Sequence, residues 1–76
     1  MGSTVIPNQR RQGYVKRVVL ERGFAWVADE FGDDFYMSLV QLQNVEGTDL
    51  KPGMGVTFAV FDTPRGPAAK NVVAII

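Results

Sequence analysis

Five short strand-like runs, each ended by a turn signal, constrain this chain more than any other feature. Residues 13–20 are rich in Tyr, Val and Leu around Lys16 and Arg17 and make the first. Residues 23–28 make the second and residues 34–39 the third. Val56, Phe58 and Val60 then alternate with Thr57, Ala59 and Phe61, and residues 68–76 give a fifth run. Glu21-Arg22-Gly23 is a short connection, and Asp29 to Asp33 is a turn in which Gly32 is free to take positive φ. Residues 40–50 form the longest connection, with a 3₁₀ turn predicted near Val40 to Gln43. Lys51-Pro52-Gly53 and Pro64-Arg65-Gly66-Pro67 are rich in breakers. Nowhere do apolar residues recur at i, i+3, i+4 and i+7 over helix length. The fold class is therefore all-β. A free five-stranded sheet exposes two edges and closure hides them, so the expected architecture is a five-stranded antiparallel OB-fold β-barrel. Residues 1–11 are polar, contain Pro7 and lack periodicity; they read as a flexible tail before a domain over 12–76.

Composition removes most chemistry. With 76 residues and 46% hydrophobic side chains, the chain makes one small globular domain. It has no Cys and no His, so disulfides, thiolate metal sites and the commonest general base are all missing. The few Ser and Thr have no evident Lys or carboxylate partner, so no enzyme is expected. Asp29, Glu30 and Asp33 lack the spaced carboxylate order of a calcium loop and read as a solvated turn. Neither metal nor cofactor is expected. No apolar run reaches the length of a membrane span and no signal-peptide core opens the chain, so a cytoplasmic protein without membrane contact is expected. Eight basic and eight acidic residues cancel. Their distribution does not: Arg10, Arg11, Lys16, Arg17 and Arg22 fall in the first third, where Glu21 is the only acid. A neutral domain polarised in this way can present a basic face.

Within the second run lies Arg22-Gly23-Phe24-Ala25-Trp26-Val27. Residues two apart on a strand share a face, so Phe24 and Trp26 stand side by side with a cation at the edge. Such a surface offers flat faces to unstacked bases. The run is close to the RNP1 pattern, K/R-G-F/Y-G/A-F-V, with Trp in place of the second Phe. In an RRM this motif follows a helix on the third strand; here it is on the second with no helix before it.

The chain resembles the cold-shock domain. Gly13-x-Val15-Lys16 is similar to the family's G-x-V-K opening, and Arg22 to Val27 to its K-G-F-G-F-I. Asp34-Phe35-Tyr36-Met37 stands where the family has D-V-F-V. Leu50-x-x-Gly53-x-x-Val56-x-Phe58 and Arg65-Gly66-Pro67-x-Ala69-x-Asn71-Val72 resemble its later motifs. The order and spacing agree from Gly13 to about Val72. Departures are specific. The family's Trp-Phe after G-x-V-K is Arg17-Val18 here, its His-Phe after D-V-F-V is Ser38-Leu39, and the Phe of its long connection is Gly47.

The resemblance implies binding of single-stranded RNA or DNA with little sequence preference and an RNA-chaperone activity. Phe24, Trp26 and Tyr36 would stack bases, with Tyr14 at the margin. Lys16, Arg17, Arg22 and Arg65 would hold the backbone. Asp34 would accept from a base amino group beside Ser38. With fewer aromatics than the family pattern, binding weaker than that of a full-complement relative is expected. The alternative is a cold-shock-like barrel repurposed for protein contacts or self-association, motivated by Arg17, Val18, Ser38 and Leu39. A monomer is expected under the first reading and a dimer is allowed by the second.

Overall fold

The structure, a computed structural model, describes residues 10–75. The expected tail lies outside the described residues as far as residue 9; Arg10 and Arg11, its last two members, belong to the fold. The strands are β1 (Arg11–Val19), β2 (Phe24–Asp29), β3 (Asp34–Ser38), β4 (Gly55–Thr63) and β5 (Gly66–Ala74). Short 3₁₀ turns occupy Leu20–Arg22, Leu39–Gln41 and Gly47–Asp49. The sheet closes in the order β1-β2-β3-β5-β4. No helix of the described residues is long and apolar enough to cross a membrane.

The all-β OB barrel is as expected, with one correction. Strand directions can alternate all the way round a closed barrel only when the strand number is even. With five strands at least one seam must be parallel, and it is β3–β5, through Tyr36 opposite Ala68 and Met37 opposite Ala69. The other seams are antiparallel. The fifth strand starts at Gly66, earlier than predicted. Thr63 Oγ1 donates to the Gly66 carbonyl at 2.7 Å and accepts from the Arg65 N–H at 3.1 Å. These bonds tighten the breaker-rich segment into a hairpin with only Pro64 and Arg65 between the strands. Pro67 precedes the β3 seam, where its missing N–H costs no ladder bond.

Alternation fills the core. Val15, Val27, Phe35, Met37, Val56, Phe58 and Val72 point inward and are buried. The Phe35 and Phe58 rings are 5.5 Å apart between centroids. Gly13 is dictated by the close approach of β1 to β2: a Cβ there would lie 1.8 Å from the Ala28 carbonyl oxygen. Between Val15 and Arg17 the β1–β2 register slips by one residue. This bulge turns Lys16 and Arg17 both outward and puts Val18 opposite buried Ala25.

The turn between β2 and β3 is built on Asp29, the buried charged residue among those described, which corrects the solvated reading of that position. Its Oδ1 accepts from the Phe31 and Asp33 N–H groups at 2.9 Å each, and its Oδ2 from Arg11 Nη1 at 2.9 Å. Gly32 takes φ +89°, as the turn requires. Burial pushes the Asp29 carboxyl up, but the Asp33 and Phe31 N–H groups and the Arg11 guanidinium outweigh it and hold its pKa below the ordinary value. A depressed pKa contributes stability above the unfolded-state value, about 3.9, and that stability is lost as pH falls through the folded value. Asp29→Asn is therefore expected to lower the urea midpoint at pH 7. It should also flatten the loss of stability below about pH 4; an unchanged acid slope would contradict the role given to this carboxylate.

Candidate nucleic-acid interface

Buried Ala25 and Val27 force their neighbours Phe24 and Trp26 outward on β2. On β3, buried Phe35 and Met37 do the same for Asp34 and Tyr36. Register then joins the rings. Trp26 lies opposite Tyr36, and Phe24 opposite Ser38. Ring centroids are 5.3 Å apart for Phe24 and Tyr36, 6.0 Å for Trp26 and Tyr36, and 6.4 Å for Phe24 and Trp26. Trp26 stands nearly perpendicular to both others, at 89° and 79°. Trp26 is 37% exposed and Tyr36 42%, while Phe24 is half-buried.

A groove gathers Phe24, Trp26, Asp34, Tyr36, Ser38 and Arg65 along one wall of the barrel. Arg65 reaches it from the β4–β5 hairpin. Arg17 lies next to it through the bulged register, opposite Trp26. Lys16 is tied to the same wall by Asp34, with Nζ 3.0 and 3.3 Å from the two carboxylate oxygens. Both partners are about half exposed. Such a pair is worth about 0–1 kcal/mol and yields easily to a competing phosphate. Arg22 is exposed at the end of the first 3₁₀ turn, outside the groove. Tyr14, opposite Ala28 and Gly55, is exposed on β1 away from the groove.

Val18 and Leu39 do not form an exposed patch: both are partly buried and pack against the core. The bulge turns Val18 inward, and Leu39 covers Gly47, where a Cβ would come within 2.8 Å of its Cδ1. The space beside the long connection is therefore filled by an aliphatic side chain. Phe61, absent from the family's motifs quoted above, is 39% exposed and lines the same groove. Alternation along β4 signals that it faces outward; only the strand order shows that it comes near Tyr36.

Among curated proteins the chain is similar to the cold shock-like protein CspC of Bacillus cereus. They are 38% identical over 64 residues, covering 84% of this chain and 98% of that relative. The cold shock-like protein CspE of Bacillus anthracis is 36% identical over 63 residues, 83% of this chain and 94% of its own. The cold shock protein CspD of Bacillus subtilis is 32% identical over 65 residues, 86% and 98% respectively. No family model matches the chain.

The outward rings carry little of the fold. Phe24→Ala/Trp26→Ala is expected to leave the barrel folded, with a cooperative urea transition. Phe58→Ala, at a fully buried ring, should cost ~3–5 kcal/mol. A double variant that unfolds outright would mean that the exposed rings are core.

Proposed function

This chain belongs to the cold-shock protein family, and on that premise we propose that it binds single-stranded RNA or DNA with low sequence specificity. The observation that carries the reading is the exposed aromatic cluster of Phe24, Trp26 and Tyr36, within 6.4 Å of one another on two paired strands. Bases stack on these rings. Lys16, Arg17, Arg22 and Arg65 hold the phosphates. Asp34 and Ser38 meet base edges, with Lys16 released from Asp34 to the backbone.

Binding of this kind performs no covalent chemistry. It traps unpaired strands and so competes with base pairing, which is an RNA-chaperone activity in the cytoplasm. A preference for pyrimidine-rich strands is what the family resemblance implies. The closed barrel offers no free sheet edge, which favours a monomer. With Val18 and Leu39 packed against the core, the protein-contact reading loses its two apolar residues, while Arg17 stays exposed.

Titration with oligo-dT or oligo-U is expected to quench Trp26 fluorescence. If four side chains each neutralise one phosphate, log K falls with log salt at a slope of about −3. The Phe24→Ala/Trp26→Ala variant, followed by anisotropy of a labelled oligonucleotide, should lose at least about thirtyfold in affinity, at ~1–3 kcal/mol per stack. Unchanged Trp26 emission at high micromolar oligonucleotide would overturn the proposal.

A further inference from the structure

We infer that Tyr36 and Phe61 are the two walls of a slot, floored by Ala68, that takes one further base of a bound single strand. This rests on the reading above and extends it beyond the β2–β3 face. The register sets the geometry. Arg17 is opposite Trp26, Trp26 opposite Tyr36, Tyr36 opposite Ala68, and Ala68 opposite Phe61. These residues form one row running round the barrel from β1 to β4. Tyr36 and Phe61 flank Ala68 on either side, and all three line the same groove.

Two strand spacings separate the Tyr36 and Phe61 backbones, roughly 10 Å. A base held between two rings needs two stacking spacings, roughly 7 Å at 3.4 Å each. The intervening residue must be small for the slot to exist. Ala68 is small, and a longer side chain there would fill it. Lys70, on the interposed strand β5, holds its Nζ 5.6 Å from the Phe61 ring centroid. This contact restrains the ring and places a cation beside the slot for the adjoining phosphate. Arg65, in the turn between β4 and β5, lines the same groove. The strand path therefore runs from the Phe24–Trp26–Tyr36 cluster across Ala68 to Phe61 and Lys70.

The test uses the full chain and an oligo-dT of about six nucleotides, within the usual site size of such barrels. Phe61→Leu and Ala68→Leu, each checked for a native melt, are expected to weaken binding by roughly 5- to 100-fold. Phe61→Tyr should restore affinity close to the parent. A direct reporter comes from the Trp26→Phe/Phe61→Trp pair, whose emission should be quenched by the oligonucleotide. Parent-like affinity of a folded Phe61→Leu protein overturns the slot, as does unmoved emission from the reporter pair; the β2–β3 face then stands alone. Absence of quenching in the parent protein removes the face and the slot together.

Discussion

Closure of a five-stranded sheet is the constraint on which the rest of the molecule depends. An odd number of strands forces one parallel seam, and the long connection between β3 and β4 lets that seam fall at β3–β5. The consequence for the surface is direct. β5 is interposed between β3 and β4, so aromatic residues on those strands face each other across the short side chains of β5. Inside, closure leaves a narrow interior. It is filled by Val, Met and two Phe side chains, with Ala25 and Ala69 where the walls come close.

The bulge in β1 is the second determinant. Without the extra residue between Val15 and Arg17, strict alternation would place Arg17 inside and Val18 outside. With it, Arg17 is exposed at the position opposite Trp26 and the valine supports the core. One inserted residue thus converts an apolar surface position into a cationic one beside the ring cluster. A bulge also increases local twist, which helps β1 pair with β2 on one side and β4 on the other.

Much of this was legible from the chain. Strand order along the sequence, the outward pair at 24 and 26 and the left-handed glycine at 32 follow from period-two patterning and turn chemistry, and the family resemblance from the order and spacing of its motifs. Cross-strand facts were not. The bulge leaves no mark in residue types, because Lys16 and Arg17 are both at home on a surface, so the inward turn of Val18 is not readable from them. Asp29 looked like one member of an acidic turn. Its burial depends on Arg11, eighteen residues earlier in the chain, which pairs with it at 2.9 Å. Phe61 was legible as outward but not as a neighbour of Tyr36, since their proximity is set by which strand closes the barrel.

The structure also redistributes the charge that the sequence appears to concentrate. Arg10 is spent on the Thr57 and Asn71 carbonyls, and Arg11 on Asp29. Of the early basic cluster, Lys16, Arg17 and Arg22 remain near the ring face, joined by Arg65 from the far hairpin. The acids opposing them there are Asp34, already paired with Lys16, and Glu21. Glu30, Asp33 and Asp62 lie on the turn and hairpin rather than among the rings. A domain with no net charge thereby keeps a cationic border around an aromatic wall. With so few free cations, stacking has to supply most of the affinity under the proposed function. Every base has a π-face, so an interface dominated by stacking discriminates little between sequences. Under that proposal, low specificity would be a consequence of where the charges are used, not of a poorly formed site.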